Sequence, residues 1–185
     1  MEPVTLRTER LELSMPTAAD IDAITTAAQD PEVPRWTTLP SPYERRHAEE
    51  FIDKAASWWD EESELTWAVR REGRWIGMIG LHRVEKQGSA EIGFWMDAAA
   101  RGHGYLTEAA TAVVDFGFAE PLALARIQWR AIVGNGASAR VAQKLGFRYE
   151  GILRQGLSDP RGRYDGWIAA LLPDDDRTPV RWPVI

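Results

Sequence analysis

The sequence predicts one α/β (α+β) domain, a mixed and mostly antiparallel twisted sheet of about seven strands carrying about four helices. Three observations lead there. Strand-like alternation recurs mid-chain over Leu65–Arg71, Arg74–Val84 and Ser89–Met96, with short turns between. Apolar residues at helical spacing, such as Leu106, Ala109, Ala110, Val113 and Val114, separate the later strands. A chain of 185 residues, 44% hydrophobic and 27% charged, has the composition of one globular domain and the length to bury roughly two-thirds of its unfolded surface.

The elements follow in order. Val4 to Met15 alternates loosely through Leu6, Leu11 and Leu13 and reads as an opening strand. Thr17-x-x-Asp20 is close to a capping box and starts a helix that runs to about Ala28. Ser41-Pro42-Tyr43-Glu44 offers an N-cap serine, proline at the first helical position and glutamate at the third. That second helix reaches about Asp60, with Ala48, Phe51, Ile52, Ala55 and Trp59 along one stripe. Glu72-Gly73 and Lys86-Gln87-Gly88 are turns. In Ser89–Met96, Ala90, Ile92, Phe94 and Met96 share one face and Glu91, Gly93 and Trp95 the other. A helix over Tyr105–Glu120 ends at Pro121, and Arg126–Val133 is a strand. Ser138–Leu145 is a helix stopped by Gly146, and Phe147–Arg154 and Tyr164–Leu172 are the last strands. Residues 1–172 make the domain, and 173–185 read as a C-terminal tail.

Composition narrows the function. A net charge of −6 disfavours nucleic acid, which demands a basic face. Without cysteine there is no disulfide, thiolate metal ligand or cysteine nucleophile, and His47, His82 and His103 show no metal-ligand spacing. The charged first ten residues do not resemble a signal peptide, and no run approaches the ~20 apolar residues of a membrane span. The expectation is a cytoplasmic protein with no membrane or metal partner. Most of the nine tryptophans are expected in the core, since each buries a large area.

The segment Ala99-Ala-Arg-Gly-His-Gly-Tyr-Leu-Thr-Glu-Ala109 carries the chemistry. A strand runs into a glycine-containing loop that opens a helix, whose first N–H groups lack partners and attract anions. Gly102 and Gly104 let a phosphate approach the backbone, and Arg101 adds positive charge. The Gly-Lys-Ser/Thr of a P-loop is absent, and Thr107 stands where a dinucleotide fingerprint needs its third glycine. Spacing alone leaves two readings open, a phosphate site or a turn that merely feeds a helix.

Arg101-Gly-His-Gly-Tyr-Leu-Thr-Glu-Ala109 resembles the pyrophosphate loop of the GCN5-related N-acetyltransferases, the GNAT superfamily, with the pattern Gln/Arg-x-x-Gly-x-Gly/Ala. Arg101 and Gly104 match, whereas Leu106 stands where the pattern has a small residue. Thr8-Glu-Arg-Leu11, Ala90-Glu-Ile-Gly-Phe-Trp95, Asn135-Gly-Ala-Ser138, Lys144-Leu-Gly-Phe147, Glu150-Gly151 and Asp165 resemble segments of the branch containing the ribosomal-protein acetyltransferases RimJ and RimL. These matches run in order from about residue 8 to 172.

The resemblance implies acetyl-CoA as cofactor, a homodimer, and two splayed parallel strands, Glu91–Met96 and Arg126–Val133, with pantetheine between them. It implies pyrophosphate contacts from Arg101, Gly102, His103, Gly104, Tyr105, Leu106 and Thr107, and pantetheine contacts from Asn135. Acetylating an amine requires a neutral amine, a polarised carbonyl and a proton for the leaving thiolate. Glu91 is the first candidate for base, acting through water, against the alternative of a structural pair with arginine. The tyrosine that protonates the thiolate in many superfamily members is matched by Ala142, and the branch's serine carries over to Ser138, a position equally suited to a helix N-cap. Trp36, Tyr43, Trp58 and Trp59 fall where the family shapes its acceptor pocket, with Trp95 beside Glu91. Asp165 is implied to orient substrate or to anchor the last strands.

The expected function is therefore acetyl transfer from acetyl-CoA to a primary amine by direct attack in a ternary complex. The acceptor is either a protein N-terminal α-amine or a small-molecule amine. The alternative is a non-catalytic acyl-CoA-binding module.

Overall fold

The structure is a computed structural model and describes residues 1–159 and 161–185. The strands are Leu6–Arg7 (β1), Glu12–Ser14 (β2), Glu64–Arg71 (β3), Arg74–His82 (β4), Ser89–Met96 (β5), Arg126–Ile132 (β6), Arg148–Asp159 (β7) and Gly162–Leu171 (β8). The helices are Ile21–Ala27 (α1), Glu32–Trp36 (α2), Arg45–Glu61 (α3), Tyr105–Phe118 (α4) and Gly136–Lys144 (α5). The strands form one sheet in the order β1-β2-β3-β4-β5-β6-β8-β7, in which β5 and β6 are the parallel neighbours.

Alternation along the strands divides the core in two. Leu65, Trp67, Ile79, Leu81, Ala90, Ile92, Ile127 and Trp129 pack with Ala109, Ala110, Val113 and Val114 of α4 and Ala139 and Ala142 of α5. On the opposite face, Ala68 and Met78 pack with Ile21 and Ile24 of α1 and Ala48 of α3. Among the described residues no helix is long and apolar enough to cross a membrane.

The decisive feature is where the parallel pairing stops. β5 and β6 are in register from Ser89↔Arg126 to Ile92↔Trp129 and no further. Beyond that point β5 stays with β4 as far as Gly77↔Met96, while β6 stays with β8 as far as Ile132↔Gly166. Gly93 and Arg130 are thus the first residues of a widening gap, as the resemblance implied.

Four expectations need correction. The opening strand is two strands, because the Thr8 N–H donates to the Leu11 carbonyl and the Leu11 N–H to the Thr8 hydroxyl, each at 3.0 Å, which turns the chain. The helix placed at Ser41 begins at Arg45. Tyr43 is drawn into the smaller core, and Glu44, extended at φ −110° and ψ 156°, caps the helix with its N–H donating 3.0 Å to His47 Nδ1. Helix α2 was not foreseen; its Pro34 sits in the first turn, where the missing N–H has no intrahelical acceptor to lose. Lastly, the segment after residue 172, expected as a tail, folds back on its own domain. Trp182 is buried against Trp129 and Tyr149 and donates 3.0 Å to the Phe147 carbonyl. Gly146 is needed for that path, since a Cβ there would lie 2.8 Å from the Arg177 Cα.

Candidate active site

The loop after β5 presents backbone. Gly102 and Gly104 adopt φ of +81° and +80°, left-handed values that glycine takes without strain, and Gly104 is the N-cap of α4. Among the described residues, no acceptor meets the N–H groups of Gly102, His103, Gly104, Tyr105, Leu106 or Thr107. Such a run of free donors at the positive end of a helix is a site for an anion.

Side chains brace this loop from behind. Arg101 donates to the Met96 carbonyl at 3.2 and 3.0 Å and pairs with Asp30 at 2.7 Å, so its charge is already partnered. Leu106 turns its side chain against the core. Glu108, in the first turn of α4, accepts the Thr8 hydroxyl at 2.5 Å, the Arg10 N–H at 2.9 Å and the Arg10 Nε at 2.7 Å. Partial burial pushes its carboxyl up, but those hydrogen bonds and the Arg10 charge outweigh this and hold it below the usual range. Arg10 also donates 3.2 Å to the His103 carbonyl and lies over the Tyr105 ring. The Thr8–Leu11 segment thus clamps the loop to the helix, a role that neither segment reveals alone.

The second wall is the start of α5. The Asn135 side chain accepts the Ser138 N–H at 3.1 Å, so Asn135 is the N-cap, and Ser138 is released from the capping role it was given as an alternative. Trp129 Nε1 donates 2.9 Å to Ser138 Oγ. This fixes the hydroxyl oxygen and leaves its hydrogen available, because a hydroxyl can accept and donate at once.

A third group lies on the α1/α3 face of the sheet. Arg130 spans from β6 to β5 and donates to Glu91 Oε2 through Nε at 2.8 Å and Nη2 at 2.5 Å, and Arg83 adds a bond of 2.5 Å to the same oxygen. Opposite Glu91 in register stands His82, whose Nδ1 is bonded to the Glu64 carboxylate. A Cβ built on Gly93 would lie 2.7 Å from His82 Nε2, so the ring occupies the space above that glycine.

The comparisons with known proteins bear on this arrangement. The model of the GNAT acetyltransferase domain matches residues 10–148. The uncharacterised N-acetyltransferase YoaA of Bacillus subtilis is 32% identical over 170 residues, covering 90% of this chain and 96% of that protein. The chain belongs to the GNAT acetyltransferase family. The ribosomal-protein-serine acetyltransferase of Escherichia coli is 35% identical over 88 residues, covering 47% of this chain and 49% of that one. The solved structure of the ribosomal-protein α-N-acetyltransferase RimL with coenzyme A superimposes with a TM-score of 0.84 at 17% identity, covering 94% of this chain and 100% of that chain.

The structure brings only some of the expected site residues to the opening between β5 and β6. Glu91 lies where the strands part, and Trp95 lies on the separating end of β5, tilted against Trp75 at 5.3 Å. Trp36 sits over the turn after β6, since a Cβ on Gly134 would be 3.7 Å from its ring. Trp59 is a correction: it is 0% exposed in the main core, bonded to the Thr66 carbonyl at 3.2 Å, and presents no surface to an acceptor. Tyr43 is also packing, 6% exposed against His47, with burial pushing its phenol up to about 12. The Asp165 carboxylate accepts the Gln155 N–H at 2.8 Å, where β7 makes an irregular step, so it anchors the last two strands.

Proposed function

We propose that this N-acetyltransferase takes its acetyl group from acetyl-CoA and places it on the α-amine of a protein or peptide N-terminus. The observation that carries the cofactor reading is the run of six free N–H groups from Gly102 to Thr107 at the head of α4, beside the gap between β5 and β6. That run suits a pyrophosphate, and the gap suits an extended amide-bearing chain. Asn135 borders the gap with its side-chain NH₂ free of acceptors among the described residues. The acceptor reading draws on the ribosomal-protein-serine acetyltransferase of Escherichia coli, and on an opening flanked by Trp36 and Trp95.

Acetyl-CoA supplies an activated acetyl thioester. The protein's residues do the rest. The loop N–H groups would fix the charged end of acetyl-CoA, and the widening strands would hold the chain that leads to the reacting atoms. Ser138, its oxygen held by Trp129, keeps an O–H proton that it would offer to the departing sulfur. Glu91 holds Arg130 across the base of the gap and keeps that face polar.

The test is thiol release from acetyl-CoA against a panel of peptides with free N-termini and of small primary amines. Release with peptides that acquire acetyl on the α-amine is the expected result. Release with small amines alone would sink the N-terminal reading, and no release with any amine would remove the enzyme reading.

A further inference from the structure

We infer that His82, oriented by Glu64, is the group that takes the proton from the acceptor amine, an assignment that rests on the acetyltransferase reading above. The observations are geometric. Glu64 and His82 are register partners on β3 and β4, and the Glu64 carboxylate binds His82 Nδ1. A carboxylate on Nδ1 holds the proton there and leaves the Nε2 lone pair outward. Among the described residues Nε2 has no hydrogen-bond partner. Nε2 hangs over Gly93, the first residue of β5 beyond the last paired position with β6. A side chain at position 93 would expel the ring, and a side chain at position 80, register partner of 93, would come within 3.3 Å of it. Two glycines therefore clear a place for this imidazole where the gap opens.

The neighbouring charges favour His82 over Glu91. Glu91 sits directly opposite on β5, with Cβ atoms about 5 Å apart in such a pair. Its Oε2 receives three hydrogen bonds from Arg83 and Arg130, so those guanidinium groups offset its charge. The charged groups around the ring are then Glu64 from β3, Glu91 from β5, Arg130 from β6 and Arg83 just after β4. Burial pushes Glu64 up, but its bond to His82 and the Arg83 N–H outweigh that and keep it ionised at neutral pH, able to support an imidazolium.

The proton balance is simple. The ammonium of the acceptor gives one proton to Nε2, and the freed nitrogen lone pair forms the C–N bond to the acetyl carbon as the C–S bond breaks. The second proton leaves the new amide nitrogen through solvent to replace the one Ser138 gives to sulfur, so that the net products are amide, free thiol and one proton. The sulfur's electron pair takes the Ser138 proton, and solvent restores both side chains.

Two measurements test this. The first is kcat/KM against pH for the wild type and for His82→Gln, Glu64→Gln and Glu91→Gln, on whichever panel amine the wild type acetylates. His82→Gln should lower kcat/KM by about 10²-fold and change the shape of its dependence on pH, with Glu64→Gln lowering it less. Acetyl-CoA affinity by calorimetry should stay the same. An unchanged profile in His82→Gln, or a greater loss in Glu91→Gln, would overturn the assignment. The second needs no acceptor: long-range ¹H–¹⁵N spectra of the imidazoles should show the neutral His82 ring protonated at Nδ1 and lose that signature in Glu64→Gln. A proton on Nε2 would overturn the assignment, while a wild type inert to every amine would strike at the acetyltransferase reading instead.

Discussion

The loop at residues 102–107, proposed to hold pyrophosphate, and the face around His82 are built from different parts of the chain. At residues 102–107 the working groups are backbone N–H donors, exposed because two glycines adopt φ near +80° ahead of a helix. On the sheet face the working groups are side chains, brought together by register across β3, β4, β5 and β6. The first construction takes its donors from one contiguous stretch, although Thr8 and Arg10 brace it from near the start of the chain. The second is non-local and depends on each side chain having its partner.

That contrast orders the expected effects. The largest comes from the backbone: Gly104→Val puts a β-branched residue at φ +80°, which it does not adopt without strain, and should abolish the thermal shift produced by coenzyme A. A retained shift would mean the anion sits elsewhere. Next is Gly93→Ala, whose methyl would lie 2.7 Å from His82 Nε2. It should lower kcat/KM by about 10²-fold, as His82→Gln does, and leave coenzyme A affinity intact. Full activity in that variant would show that ring placement does not matter. Ser138→Ala should slow turnover by about 10-fold with little change in stability, because Asn135 and not Ser138 caps α5. Matching losses of stability and rate would return Ser138 to a structural role.

The two regions also differ in how far they could be read from the sequence. The loop was legible because its signal is contiguous: strand, glycines, helix. The pairing of Glu91, Gly93 and Trp95 on one face was legible because strand periodicity is two. His82 was not, since Glu64 lies 18 positions away and only the β3–β4 register joins them. Trp59 was misplaced for a related reason. It lies on the apolar stripe of α3, and nothing in the stripe distinguishes a core tryptophan from one lining a pocket until the helix is packed. The start of α3 was misjudged because Ser41 and Pro42 carry a strong capping signal that burial of Tyr43 overrides.

A control for the sheet is Asp20. Its carboxylate, 3% exposed, receives the Arg70 guanidinium at 2.5 and 2.7 Å. Burial pushes the carboxyl up, but the Arg70 and Thr17 hydrogen bonds and the Arg70 charge hold it below its ordinary value. A depressed folded-state pKa means full stabilisation above the unfolded value, roughly 4, and loss as the pH falls through the folded value. Asp20→Ala should cost about 3 kcal/mol at neutral pH by chemical denaturation. Asp20→Asn should reduce the acid dependence in that window, and an unchanged dependence would assign it to other carboxylates.

The central claim is tested most directly by intact-mass analysis of a free N-terminal peptide incubated with acetyl-CoA and the protein, followed by fragmentation to locate the modification. The account predicts one acetyl group on the α-amine with the wild type, and about 10²-fold slower formation with His82→Gln. A peptide that stays unmodified while a small amine is acetylated, or equal rates in wild type and variant, would contradict it.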